Sequence, residues 1–517
     1  MASGVHKSLH EFGITEKRLG HRVSPATLLS CSLVAVFLAM RLWRLTYPAL
    51  NGDEIFSLLL ARSDWHGLMA GAVQDAIHPP LFYVLLKVWT WLGGESLLWL
   101  RLFPVAVSLL CLAPFLLLCR RLEISPMARN LALGIAAVHP YAIFFAQETR
   151  MYCLLGLGAL VSAWYFLRYL DQPSRRNLAW LTLVNLLLVY THYYGWLIVG
   201  LEFVYLMWLR RGIRAFAASM LIIAVLFAPW AWAAGQVLHG RGLQQNLGWL
   251  PRPHLGDVTW FFSELAGFAE YPKHARVAAA VVLTLLAVTY RRNREPGMQW
   301  LVWLWILPAP LVFLASQWLP QSIWGHRHLI FTLWPFVMVL ADSVWRRGWM
   351  LRAAVVIAAG IWAGFAIASR NSDDHYLPSD SLTLAILDHE PHNGIHIPLY
   401  AVDPYLHYPL WFFMENLKHD QLGPFGPHLD PRRNVSELAA KAAEFEIIKA
   451  ADLEAAQQSY FWAGYSEPWK QGPTPRQILE KRGCQIGLEV TARSRFQTVI
   501  FFPVQCNSNR ESTSGPS

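Results

Sequence analysis

The sequence predicts a polytopic α-helical membrane protein with about 11 transmembrane helices and outer juxtamembrane helices, plus a small C-terminal α/β domain outside the membrane. Two observations predict it. The chain of 517 residues is 55% hydrophobic and only 15% charged, against about a quarter charged in a soluble domain. Its arginines also gather in short clusters between apolar segments, which is a topology signal rather than a nucleic-acid patch, despite a formal charge of +9.

Residues 1–24 are polar and basic, with Lys7, Lys17, Arg18 and Arg22, and are expected in the cytoplasm. Pro25 to Leu45 is apolar and long enough to span. No small-residue cleavage site follows it, so it reads as a retained anchor. Arg41 and Arg44 near its outer end are expected to snorkel toward headgroups. Residues 53–94 read as helices lying on or dipping into the outer surface, because Asp64 and Asp75 interrupt the first part and Leu81 to Leu92 is short of a span. Later spans are expected near 97–118, 127–146, 151–170, 178–191, 194–209, 214–234, 276–290, 298–315, 327–345 and 350–368.

Charge supports this threading. Arg120-Arg121, Arg175-Arg176, Arg210-Arg211-Arg214, Arg291-Arg292-Arg294 and Arg346-Arg347 fall in every second connection, which the positive-inside rule assigns to the cytoplasm. Asp53, His78, Glu148, His192, the 235–275 loop, His326-Arg327-His328 and everything after 369 then lie outside.

The domain plan is a cytoplasmic segment 1–24, a membrane domain 25–369, an outer α/β domain 370–506 and a tail 507–517. In the outer domain Ile395–Val402 and Tyr460–Gly464 read as strands. Pro404–His419, Ser436–Glu444 and Pro475–Lys481 read as helices. Gly487–Ala492 and Gln497–Val504 read as a closing hairpin. Of six cysteines, Cys31, Cys111, Cys119 and Cys153 read as packing residues, while Cys484 and Cys506 flank the hairpin as a disulfide candidate. No spacing suggests structural zinc, and Asn434-Val435-Ser436 matches a glycosylation sequon.

Three stretches carry the chemistry. Asn51-Gly52-Asp53-Glu54 ends the first apolar segment, His78-Pro79-Pro80 closes the same loop, and Gln147-Glu148-Thr149-Arg150-Met151-Tyr152 lies between two later spans. Acids at a helix start serve first as caps and dipole partners. At a membrane surface such a carboxylate is also expected to have a raised pKa and to act as a general base. Ionisable groups between spans default to function. Arg150 suits phosphate, because its planar fork matches phosphate oxygens. His192 in Thr191-His192-Tyr193-Tyr194 reads as interfacial, and Arg327 and His328 suit a phosphate leaving group. Glu202, inside a span, is expected to pair locally.

At these residues the chain resembles the GT-C type membrane glycosyltransferases, and in particular the protein O-mannosyltransferase and aminoarabinose-transferase group with its lipopolysaccharide galacturonosyltransferases. The likeness rests on Asp53-Glu54, His78-Pro79-Pro80-Leu81, the 147–152 stretch and Arg327-His328-Leu329, and covers residues 25–370. It implies a polyprenyl-phosphate-sugar donor, inversion at the anomeric carbon, and a lipid, polysaccharide or protein acceptor. It implies candidate catalytic carboxylates Asp53, Glu54 and Glu148, with Asp53 as base. It also implies substrate contacts from His78, Arg150, Tyr152, His192, Arg327 and His328. His78 stands where some relatives place a Lys, which passes the phosphate counter-charge to Arg150 or Arg327. No cofactor is certain. A divalent cation on Asp53 and Glu148 stays open. Membrane lipids, and no nucleic acid, are the other expected partners. The expected location is the bacterial inner membrane, with the site and the C-terminal domain periplasmic. A transporter or flippase of a lipid-linked sugar is the alternative; it predicts charges spread through the midplane. A non-catalytic subunit whose outer domain recruits partners is a third reading.

Overall fold

The computed structural model describes residues 24–241, 250–267, 295–369, 377–391, 393–449, 453, 458–469, 472–494 and 497–506. The expected cytoplasmic basic segment, the 276–290 span, the Arg291-Arg292-Arg294 cluster and the tail from 507 lie outside the described residues.

Every expected span within the described residues is helical. Helix α1 (Pro25–Leu42) starts with Ser24 accepting the Thr27 N–H and Pro25 at the first helical position. Three helices follow it, α2 (Gly52–Arg62), α3 (Trp65–Asp75) and α4 (Leu81–Gly93). Then come α5 (Leu97–Leu110), α6 (Leu112–Arg121), α7 (Pro126–Val138), α8 (Pro140–Ala146), α9 (Tyr152–Asp171), α10 (Arg175–Thr191), α11 (Tyr194–Leu209) and α12 (Ile213–Arg241). The expected 127–146 span is broken at His139, because Pro140 has no N–H to continue the ladder.

Among the described residues five stretches are alone long and apolar enough to cross a membrane: Pro25–Leu42, Leu97–Arg121, Tyr152–Asp171, Ile213–His239 and His326–Trp345. A sixth is the pair Pro296–Ile306 and Pro308–Trp318, bent by 41°. The ends of the bundle differ chemically. Helix α9 runs about 30 Å, from Tyr152 beside the candidate site to Asp171, which pairs with Arg121. Tyr169 bonds the Gly212 carbonyl and Tyr205 bonds the Pro296 carbonyl at that same arginine-rich end.

Arg41 does not snorkel. It is 1% exposed, donating to Ser108 Oγ and to the carbonyls of Phe37, Ala136 and Ala137, with its guanidinium 3.2 Å from the Phe37 ring centroid. Helix α1 packs on α7, so the outermost turn faces protein and supplies acceptors that headgroups would otherwise provide. Glu202 is wholly buried and accepts from Ser162 and Asn185.

The C-terminal part holds a six-stranded sheet in the order β2-β1-β3-β6-β4, with β5 also on β6. Strands β1 (Ile397–Ala401), β2 (Phe445–Lys449) and β3 (Tyr460–Glu467) are parallel neighbours. Strands β4 (Gln485–Ile486), β5 (Val490–Arg493) and β6 (Thr498–Gln505) complete it antiparallel. Three elements were not expected: β2, the short strand β4 and the helix Ser379–His389. The β2 segment alternates no clear apolar face, because Glu446 and Lys449 lie on an edge strand whose buried member is Phe445. The part docks on the elements that carry the candidate site. Arg62 bonds Glu95 at 2.7 Å and Asn416 at 2.8 Å, and the Leu97 N–H bonds the Gly423 carbonyl.

Cys484 and Cys506 are disulfide-bonded across 22 residues, beside a small apolar cluster of Phe461, Leu479, Phe502 and Val504. A loop of that length contributes about 3 kcal/mol by the chain-entropy account. Reduction, or Cys484→Ser with Cys506→Ser, is expected to lower the stability of the C-terminal part by about that amount. Proteolysis rates under mild denaturant, with and without reductant, measure it.

Candidate functional site

The site is built where α2, the 147–151 turn and the segment His326–Thr332 meet. Asn51 closes a capping box on α2: its Oδ1 accepts the Glu54 N–H at 3.0 Å, and Glu54 Oε2 accepts the Asn51 N–H at 3.1 Å. Asn51 Nδ2 also donates to Glu148 Oε1 at 3.2 Å, fastening the second acid to the first loop. The 147–151 turn is pinned from three sides. Gln147 donates to the carbonyls of Arg41 and Trp43, the Thr149 N–H donates to Glu54 Oε1 at 2.8 Å, and Arg150 donates to the Asp53 carbonyl and Ser57 Oγ.

The adjacent acids Asp53 and Glu54 take opposite roles. A helix turns about 100° per residue, so their side chains diverge. Glu54 is 1% exposed. It receives bonds from Asn51, Thr149 and Arg101, the last at 3.2 Å from a guanidinium that is itself 1% exposed. Both of its oxygens are thus engaged in holding the scaffold. Asp53 faces outward, with its side chain 46% exposed and Oδ2 3.0 Å from Arg327 Nη1.

A correction concerns charge. The low-polarity setting was expected to raise the Asp53 pKa. Burial does push it upward, but Arg150, Arg327 and His78 outweigh burial and hold the carboxyl below its ordinary value. Glu148 behaves in the opposite way. It is 5% exposed, and burial, then repulsion from Glu54, pushes it up to about 7 against the pull of Arg327 and Arg150. Its Oε2 is buried without a hydrogen-bond partner among the described residues.

This difference yields a pH prediction. The folded Glu148 carboxyl holds its proton to about 7 and the unfolded one only to 4.5. The folded state therefore binds more protons between these values. Its contribution to stability is full below pH 4.5 and is lost as pH rises to about 7, with a slope of at most about 1.4 kcal/mol per pH unit. Glu148→Gln should lack this slope. Melting temperature against pH, wild type minus variant, is the measurement.

Arg150, Tyr152, His78, His192 and His328 are all brought together, and all are buried. Arg150 Nη2 lies 3.5 Å from His78 Nδ1. The Tyr152 ring stacks on His328 at 6.1 Å, with the Arg327 guanidinium 6.0 Å from the Tyr152 centroid. His192 caps α10, and its Nδ1 accepts the Tyr194 N–H at 3.1 Å. It faces His78 and His328 rather than the lipid interface expected of it. Burial lowers the pKa of both His78 and His192 below the ordinary imidazole value. The fixed cations facing Asp53 are Arg150 and Arg327. The segment bearing Arg327 is held by Tyr141 to the His326 carbonyl, by Tyr194 to the Ile323 carbonyl, and by His326 to Glu264 at 2.8 Å.

Sequence reasoning missed Arg101, Ser57 and Glu264. Arg101 carried a signal, since it is a lone cation inside an apolar segment and such groups need a partner. Ser57 and Glu264 carried none.

No protein-family model and no curated protein matches the chain. Among solved structures it is similar to ArnT from Cupriavidus metallidurans bound to undecaprenyl phosphate, with 14% identity and a TM-score of 0.45 over 95% of this chain and 100% of that one. The apo state of ArnT from Cupriavidus metallidurans gives 13% identity and 0.46 over 92% and 98%. The archaeal oligosaccharyltransferase AglB from Archaeoglobus fulgidus, in complex with an inhibitory peptide and a dolichol-phosphate, gives 11% identity and 0.44 over 85% and 69%.

Proposed function

We propose that the chain is an integral membrane glycosyltransferase that moves a sugar from a polyprenyl-phosphate donor to an acceptor hydroxyl, with inversion, on the outer face of the bacterial inner membrane. In this reading residues 370–506 form the periplasmic domain of the enzyme. The observation that carries the proposal is the Asp53–Arg327 pair: a half-exposed carboxylate held 3.0 Å from an arginine, over the buried Arg150 and Glu148.

The acceptor oxygen bonds to the anomeric carbon, the bond from that carbon to the phosphate oxygen breaks, and the phosphate leaves with the electron pair. The hydroxyl proton passes to Asp53. Of Asp53, Glu54 and Glu148, Asp53 alone has an exposed carboxylate, which favours it for this role. A depressed pKa suits this role. The hydroxyl becomes acidic only as its oxygen bonds to an oxocarbenium-like carbon, so a weak base that is fully ionised at neutral pH suffices. Donor phosphate engaging Arg327 draws the counter-charge from Asp53 and raises its basicity at that moment. Arg150, deeper and fixed by Ser57, adds positive charge on the phosphate side.

The flippase reading finds less support. Glu202 and Arg41, two of the buried charges within the helices, are engaged by hydrogen bonds to neighbouring helices. The test is product stereochemistry: a polyprenyl-phosphate sugar of known anomeric configuration is supplied with membrane acceptors, and the product is read by NMR. Inverted configuration is expected; a retained configuration contradicts the single-displacement reading.

A further inference from the structure

His78, His192 and His328 come from three connections far apart in the chain and meet beside Arg327 and Arg150. Their ring centroids are 5.5, 6.3 and 4.6 Å apart. One ring nitrogen from each lies within 4.8 Å of the others. All three residues are buried, with exposures of 5%, 3% and 9%. His78 Nε2, His192 Nε2 and both His328 nitrogens are buried without a hydrogen-bond partner among the described residues. Buried polar atoms are nearly always paired, and each left alone carries a desolvation cost. Several such nitrogens aimed at one point are costly together unless a shared ligand satisfies them.

We propose that His78, His192 and His328 bind a divalent transition-metal ion of the zinc class, with a fourth position open to water or a phosphate oxygen. Three imidazoles and one exchangeable position form a recurrent tetrahedral arrangement, with metal–nitrogen distances of about 2.0–2.1 Å. Such distances place the ligand nitrogens roughly 3.3 Å apart, so the rings close inward by small rotations from the 4.8 Å they now span. The ligand set is nitrogen only, which favours zinc, cobalt, nickel or copper over magnesium or calcium. Asp75 Oδ2 lies 3.5 Å from His78 Nδ1. With the His78 proton moved to Nδ1, which displaces the Arg150 N–H from that nitrogen, Asp75 would be the outer carboxylate that orients the ring and leaves Nε2 for the metal. Two features oppose loading. Arg150 lies 3.5 Å from His78 Nδ1 and repels a cation; Asp75 and Asp53 offset it. His192 also gives up the Tyr194 N–H bond, because its proton must leave Nε2 for the opposite nitrogen.

The ion would add positive charge beside Arg150 and Arg327. That role rests on the glycosyl-transfer reading, whereas the binding does not. The test therefore reads binding. Full-length protein without a polyhistidine tag is stripped with EDTA in detergent and titrated with Co2+. About one Co2+ per chain is expected, with the visible d–d bands of a low-coordinate nitrogen site. His192→Gln and His328→Gln should each abolish the bands. His66→Gln, a change to an exposed histidine of α3, should keep them, and Asp75→Asn should weaken affinity by roughly 10–100-fold. Where a ligand variant fails to fold, the wild-type stoichiometry and spectrum decide alone. A wild type that binds no stoichiometric Co2+, or folded His192→Gln and His328→Gln proteins that bind as wild type does, overturns the proposal without touching the transfer reading.

Discussion

Glu54→Ala is expected to destabilise the membrane fold by about 3–5 kcal/mol, the usual effect of leaving one member of a buried ion pair alone. Arg101 would keep two carbonyl acceptors, Leu45 and Ala49, but lose its only carboxylate among the described residues. The same change opens the α2 capping box and deprives the Thr149 N–H of its acceptor. Glu54→Gln should be milder, because it keeps the shape and one carbonyl oxygen. The pair Glu54→Leu with Arg101→Met should recover much of the loss, since an apolar pair avoids the desolvation of both charges. Thermal unfolding of detergent-purified variants ranks them. A Glu54→Ala protein as stable as wild type would show that the carboxylate does not hold the two loops together.

Asp53→Asn is expected to lower sugar transfer by about 10²–10⁴-fold, the range for loss of a positioned general base. Stability should change little, since the Asp53 side chain is 46% exposed. Asparagine keeps the size and can still face Arg327, so donor binding should survive. The fall should therefore appear in kcat rather than in KM. A matched fall from Arg327→Gln, with weakened donor binding, would separate the two partners: one serves the acceptor proton, the other the phosphate.

Much of the helical plan was legible because a span is a one-dimensional signal. About 20 apolar residues and arginines at alternate ends suffice to locate it, and α9 to α12 fall where the hydropathy put them. The three chemical stretches were legible for the same reason, since charged residues that interrupt apolar runs stand out. Orientation within those stretches was not. Nothing in Asp53-Glu54 says which acid turns outward; that depends on Arg101 arriving from α5 and Arg327 arriving from far along the chain. Arg41 was misread because its acceptors are carbonyls of α7, which no local pattern reveals. The histidine cluster is of the same kind: positions 78, 192 and 328 have no metal-binding spacing, and only folding brings their nitrogens within 4.8 Å.

The most direct test of the transfer site is a side-by-side assay of purified wild type and Asp53→Asn. Both are given a panel of radiolabelled polyprenyl-phosphate sugars, with membrane lipids, polysaccharide and protein as acceptors, and bound donor is measured in parallel. The expected result is label moved into one acceptor class by wild type, lost in Asp53→Asn while bound donor is unchanged. Equal transfer by both proteins would remove Asp53 from the chemistry and contradict the account.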